Sequence, residues 1–172
     1  MGGLVVAELA DDGALSECAS VIRRAFATVA QERGFTQENA RTHTSFITEE
    51  RVRSQRLSGT RFFGVRRGGR LLGYVALEVS DRPGTYYLER LAVLPSERHQ
   101  GLGQLLVEYV VGEARRVGAR ESSIAIVDDD LVLKRWYEAL GFRTTGDRQF
   151  EHLPFTVCYL ACDLTDNARF SA

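Results

Sequence analysis

Residues 86–103 read YYLERLAVLPSERHQGLG, an apolar run, then a glycine-marked loop, then the start of an amphipathic segment. Leu88, Leu91, Ala92, Val93 and Leu94 form the short apolar run expected of a strand buried on both faces. Pro95 has no ladder donor and ends it. Gly101 and Gly103 let the chain approach a ligand without obstruction from Cβ. The first N–H groups of the following helix lack intrahelical partners and lie at the positive end of its dipole. Spacing alone therefore predicts an anion site.

Upstream, Asp81-Arg82-Pro83-Gly84 reads as a turn. Residues 62–65 and 71–77 flank Gly68-Gly69 and predict a hairpin. Thr48, Glu49 and Glu50 open a helix, with Arg51, Arg53 and Arg56 following and Gly59 as its stop. Leu15, Cys18, Ala19, Ile22, Phe26 and Val29 recur at helical spacing and predict a helix ending at Arg33-Gly34. Residues 4–9 read as a first strand. Downstream, Leu102, Leu105, Leu106, Tyr109, Val110, Ala114 and Val117 predict one buried stripe of a helix stopped by Gly118. Residues 122–127 read as a strand, and Asp128 to Asp130 put carboxylates where a helix dipole favours them. Residues 142–150 and 155–164 are two final strands, and the tail from Thr165 is expected to fray. The order is strand, two helices, three strands, helix, strand, helix, two strands. With no repeat or linker, all 172 residues are expected to form one domain, 1–172.

The bulk composition is ordinary for a globular protein, with 44% hydrophobic and 26% charged residues. A formal net charge of −1 gives no drive toward nucleic acid or anionic membrane, so neither is expected as a partner. No stretch approaches transmembrane length, and the first ten residues lack the charge and apolar core of a signal peptide. Three cysteines, Cys18, Cys158 and Cys162, have no CxxC or metal spacing, which predicts reduced thiols in the cytoplasm and no metal.

Arg98-His99-Gln100-Gly101-Leu102-Gly103 resembles the Arg/Gln-x-x-Gly-x-Gly/Ala signature of the GNAT superfamily of N-acetyltransferases. Leu91-Ala92-Val93 resembles that family's central strand, and the run WYEALGF at residues 136–142 resembles its second signature. The resemblance implies an α/β (α+β) fold: a mixed, mostly antiparallel six- to seven-stranded sheet with helices on both faces. It also implies acetyl-CoA as cosubstrate and an amine of a small molecule or peptide as acceptor, attacking directly in a ternary complex. Dimers are common in the family, so a homodimer is among the implied partners. A dinucleotide fingerprint fits less well, because Leu106 stands where its third glycine belongs, and no Lys follows the loop as a P-loop requires. A non-catalytic acyl-CoA sensor would use the same loop.

Acetyl transfer needs a held thioester, a neutral amine, a stabilised oxyanion and a proton for the departing thiolate. The resemblance assigns the pyrophosphate to the N–H groups of His99, Gln100, Gly101, Leu102, Gly103 and Gln104, with charge-assisted contacts from Arg98. It assigns the pantetheine arm to the main chain of Leu91, Ala92 and Val93. Tyr137 stands where relatives carry the tyrosine that protonates the thiolate, and a phenol titrates at about 10, so it holds its proton at neutral pH. Leu133, Trp136, Tyr137 and Leu140 also share helical spacing, which taken alone reads as core. Asp130 stands where many relatives have Asn near the pantetheine; its carboxylate lacks the amide donor and equally suits an N-cap. Glu89 is the candidate base, placed by strand alternation on one face with Tyr87, Leu91 and Val93; a salt bridge to a nearby arginine is its plainer reading. His152 and His43 are secondary candidates for the acceptor side.

Overall fold

The computed structural model describes residues 2–165. Seven strands form one sheet: β1 (Leu4–Glu8), β2 (Arg61–Arg67), β3 (Arg70–Val79), β4 (Thr85–Val93), β5 (Glu121–Val127), β6 (Arg143–Gln149) and β7 (Thr156–Asp163). Their spatial order is β1-β2-β3-β4-β5-β7-β6. Only β4 and β5 run parallel, and every other neighbouring pair is antiparallel. The expected mixed, mostly antiparallel sheet is the one observed. Short turns suffice for the antiparallel pairs, and Gly68 and Gly69, both at positive φ, close the β2–β3 hairpin. The parallel pair needs a crossover, which α3 (Leu102–Arg116) supplies.

Helices cover both faces. On one lie α1 (Ala14–Arg33) and α2 (Glu49–Leu57), whose Leu15, Cys18, Ile22 and Val52 pack on Phe62, Tyr74, Ala76 and Ala92. The other carries α3 and α4 (Leu131–Ala139), which pack on Phe63, Val75, Leu77, Leu88, Ile124 and Leu160. Local signals set the helix ends. The Thr48 side chain accepts the Arg51 N–H at 3.2 Å, and Gly34 in the left-handed region stops α1. The frayed tail expected from Thr165 lies, beyond that residue, outside the described residues.

Two expectations need correction. The buried face of α3 is Leu102, Leu106, Val107, Val110, Val111 and Ala114, whereas Tyr109 and Val117 are exposed. The expected stripe was drawn one position too far round because a tyrosine and a valine near the C-terminus extended its period. Tyr109 still lays its ring 5.9 Å from that of Phe63, covering the sheet while its edge meets water.

The second correction concerns β4, whose alternation does not run through. Ala76 pairs with Glu89 and Tyr74 with Ala92, so Arg90 and Leu91 together stand opposite Val75. This is a β-bulge, and Arg90 holds it at φ 53, a left-handed conformation costing about 1 kcal/mol or more for a residue with a Cβ. Beyond the bulge the faces exchange. Glu89 shares a face with Tyr87 and Ala92, toward α1, while Leu91 and Val93 pack toward α3.

The sheet meets α3 closely at Gly73, where a Cβ would lie 2.9 Å from Leu106 Cδ1 and 3.1 Å from the Ala92 carbonyl oxygen. The carbonyl belongs to β4 and cannot swing aside. Gly73→Ala is expected to destabilise the protein by about 1–3 kcal/mol through overpacking, read as a lower urea midpoint at unchanged slope. An unchanged midpoint would show that α3 is free to shift.

Candidate active site

The parallel pairing of β4 with β5 is brief. Thr85, Tyr86 and Tyr87 face Glu121, Ser122 and Ser123, and there the register stops. Beyond it β5 stays with β7 through Val127, and β4 stays with β3 through Val93. The two strands therefore part, leaving a wedge that widens toward Val93 and Val127. The Leu94 N–H bonds the Leu72 carbonyl at 2.9 Å, so strand alternation turns the Val93 and Leu91 N–H groups the other way, into the wedge. Unpaired backbone donors at such a place suit an extended ligand that completes the sheet.

The glycine loop lies at the end of β4. His99 at φ 60 and Gly101 at φ 78 both adopt the left-handed conformation, which curls successive N–H groups toward a common point. Gly101 caps α3 without a side-chain hydrogen bond, and Leu105 is the first residue of the helix whose N–H bonds back, to Gly101 O at 3.0 Å. Among the described residues, the N–H groups of His99 to Gln104 make no hydrogen bond to another backbone group. A Cβ on Gly101 would meet nothing within 4 Å, so glycine serves conformation there. A Cβ on Gly103 would stand 3.4 Å from the Trp136 ring and 3.9 Å from Leu91, ordinary contact distances, so a side chain as small as alanine's fits at the second position. Arg98 sends Nη2 to the Ala25 carbonyl at 2.7 Å and so fastens the loop to α1. Arg67, from the hairpin, reaches Glu97 at 3.1 Å and Gln100 at 3.4 Å. No local motif marks this cation, which the hairpin brings to the loop from 30 or more residues away.

On the same face, α4 presents Tyr137, buried between Trp136 at 4.8 Å and Phe142 at 5.5 Å between ring centroids. Burial pushes its phenol above the ordinary tyrosine range, so it remains a proton donor throughout neutral pH. Asp130 caps α4, its Oδ1 accepting the Leu133 N–H at 3.0 Å. Its carboxylate is thus engaged by the helix itself.

Glu89 lies half-buried on the α1 side of β4, at the point where the wedge opens. Desolvation raises its pKa, the neighbouring Arg90 charge lowers it, and Glu78 raises it; the net direction is upward. No ion pair of the described residues uses Glu89, so the salt-bridge reading has no partner. A carboxylate with a raised pKa and a free lone pair is suited to accept a proton near neutrality.

A cavity of about 380 Å³ lies beyond the wide end of β5, lined by Arg33, Phe35, Asp128, Asp129, Pro154 and Phe155. Phe35 meets Phe155 at 5.2 Å and His43 at 4.9 Å, joining the segment after α1 to the β6–β7 loop. His43 is therefore a buttress of this wall. Its Nδ1 lies 2.8 Å from Ser45 Oγ, and burial lowers its pKa, which favours the neutral ring. His152 is exposed in the β6–β7 loop, 5.6 Å from the Phe150 ring, and does not line the cavity. Among the described residues no cluster of three or more His, Cys, Asp or Glu could hold a metal ion, and no helix is long and apolar enough to cross a membrane.

Beyond this geometry, residues 24–142 match the acetyltransferase (GNAT) family. The chain belongs to that family. An uncharacterized N-acetyltransferase of Schizosaccharomyces pombe is 30% identical over 97 residues, 56% of this chain and 59% of that protein. The match thus spans little more than half of that relative's length. A protein of Salmonella typhimurium named PanD regulatory factor is 33% identical over 87 residues, 51% of this chain and 67% of that protein. The fold is also that of the PaiA N-acetyltransferase of Thermoplasma acidophilum, solved with coenzyme A, at TM-score 0.77 and 15% identity over 94% of this chain and 99% of that one. GNAT membership makes acyl transfer from an acyl-CoA the general chemistry of this fold and leaves the acceptor to individual residues.

Within this GNAT frame the space at Gly103 admits a Cβ beside Trp136 but leaves little room for a larger, branched side chain. Gly103→Val is expected to displace the loop and weaken coenzyme A binding by about tenfold or more, the scale of one lost charge-assisted hydrogen bond. Calorimetric titration with coenzyme A reads this directly; undiminished affinity would separate the loop from the ligand.

Proposed function

We propose that this protein is an acetyl-CoA-dependent N-acetyltransferase acting on a primary amine of a small molecule or peptide, with the whole chain serving as one catalytic domain. The observation that carries the reading is the parting of β4 from β5 beside the unpaired N–H groups of His99 to Gln104. Those amides suit a pyrophosphate, and the free Leu91 and Val93 N–H groups suit the amide-bearing arm of coenzyme A. Acetyl-CoA supplies the acetyl group as a thioester. Glu89 takes the proton from the attacking amine, directly or through a water, and a β4 N–H polarises the carbonyl. Tyr137 delivers a proton to the sulfur as the C–S bond breaks. Its raised pKa is no obstacle, since burial destabilises a thiolate in the same surroundings too. Three buried cysteines, none of them in a disulfide among the described residues, support a reducing, cytoplasmic setting.

A second reading, an acyl-CoA sensor without turnover, is favoured by the relative named PanD regulatory factor. Thiol release on a panel of amines separates the two: saturable coenzyme A binding with no release on any amine favours the sensor.

Tyr137→Phe is expected to lower kcat by about 100-fold, the usual weight of a general acid, while leaving coenzyme A affinity within about threefold. Undiminished kcat removes Tyr137 from the chemistry. The base predicts a pH dependence. Glu89 works deprotonated, so kcat/KM falls as pH drops through its pKa, which lies above the ordinary 4.5. In Glu89→Gln that acid limb disappears and kcat/KM falls by about 100-fold at neutral pH. A limb that instead follows the pKa of whichever amine is supplied would rule Glu89 out.

A further inference from the structure

We infer that the acceptor is an amine of the amino-acid class, whose carboxylate is held by Arg90 and Tyr74 while its amino group faces Glu89. The inference rests on the acetyl-transfer reading and names the substrate that reading leaves open. Arg90 Nη1 and Tyr74 Oη are both sealed from solvent, and neither has a hydrogen-bond partner. Leaving a buried donor unmade is costly, more so on a cation, and native structures rarely tolerate it. No ion pair of the described residues uses Arg90. Two unmatched donors, one of them a cation whose charge acts on the other, have the chemistry of an oxyanion receptor, and a guanidinium fork suits a carboxylate in particular.

Their placement ties the receptor to the reacting centre. Tyr74 on β3 pairs with Ala92, and both face α1, as Glu89 does. Neighbouring residues of a regular strand would point Glu89 and Arg90 to opposite faces. The bulge at Arg90 removes that rule, and its charge acts on the Glu89 carboxylate and on the Tyr74 hydroxyl alike. Burial keeps the Tyr74 phenol protonated, hence a donor. An anionic and a cationic side chain in succession thus meet a ligand carrying both an ammonium and a carboxylate. A peptide N-terminus has a neutral amide at that position and leaves the guanidinium unmatched.

The test uses matched trios: an α-amino acid, its amide, and the amine lacking the carboxyl group, each trio with a small, an acidic or an aromatic side chain. In the wild-type protein kcat/KM for the best acid is expected to exceed that of its amide and amine by about 10- to 100-fold, the scale of a charge-assisted hydrogen bond. Arg90→Met brings that ratio toward one, Arg90→Lys retains part of it, and Tyr74→Phe lowers it by a smaller factor. Calorimetric titration of the same trios into protein saturated with coenzyme A gives the comparison without turnover. A wild-type ratio near one in every trio overturns the inference. So does an unchanged ratio in Arg90→Met protein that still binds coenzyme A, or, if that variant does not fold, an unchanged ratio in both Arg90→Lys and Tyr74→Phe. The broader reading fails separately, by absence of coenzyme A binding in the wild type.

Discussion

The site depends on a sheet that is not allowed to close. β4 and β5 share three register positions and then separate, each held by its outer neighbour, β3 or β7. Neither strand can bend back without breaking an antiparallel ladder. The backbone groups facing the wedge consequently have no protein partner to collapse onto, and a buried unpaired amide is costly. The wedge thus suits a ligand with peptide-like groups, to which it offers main chain and not side chains. Side chains on this part of the strand remain free to be core, as Ala92, Leu91 and Val93 are.

Packing makes that wedge part of a site with fixed geometry. α3 is pressed on the sheet by Leu106, Val107, Val110 and Val111, each worth about 1.5–3 kcal/mol on burial. Gly73 lets it lie close against β3, where a Cβ would meet Leu106 at 2.9 Å. Gly103 lies beside Trp136 and Leu91, where an added Cβ would reach ordinary contact with both, so the loop runs next to α4 and the wedge wall. Tyr137 follows Trp136 on the same helix and is clamped by Phe142. Loop, strand edge and phenol therefore move as one body, which a reaction between two held ligands requires.

Much of this was legible because it lies in local signals. The hairpin glycines, the Thr48 cap, the Gly34 stop and the glycine loop each fix a conformation within a few residues. The succession of elements followed from their local patterns, and the mixed, mostly antiparallel sheet from the family resemblance. What could not be read was long-range or irregular. The α3 face was misjudged at Tyr109 and Val117, whose apolar character did not reveal that they sit at the rim. Arg67 reaches Gln100 only because the hairpin folds over the loop. His43 carries no sign in its neighbourhood that Phe35 will stack on it from one side while Phe155 closes the other side of Phe35. The bulge was invisible for a different reason. Arginine is an unexpected occupant of a left-handed position, so nothing in the run LERLAV announces one.

That bulge links the two main features of the molecule. An extra residue increases local twist and bends the strand that carries it. Arg90 lies three positions beyond Tyr87, the last residue of β4 to pair with β5. The bend falls where the strands begin to part, and on the strand that must turn away. The same extra residue reverses the alternation, so Leu91 and Val93 face α3 while Glu89 stays on the α1 side with a cation beside it. One strained residue thus lies where the wedge opens and sets a positive charge beside Glu89 at its apex. Relaxing it to a regular strand would improve its backbone energy, yet would lengthen the β4–β5 ladder and send the arginine across the sheet. The strain is explained by what it parts, a pair of strands, and by what it keeps together, a pair of charges.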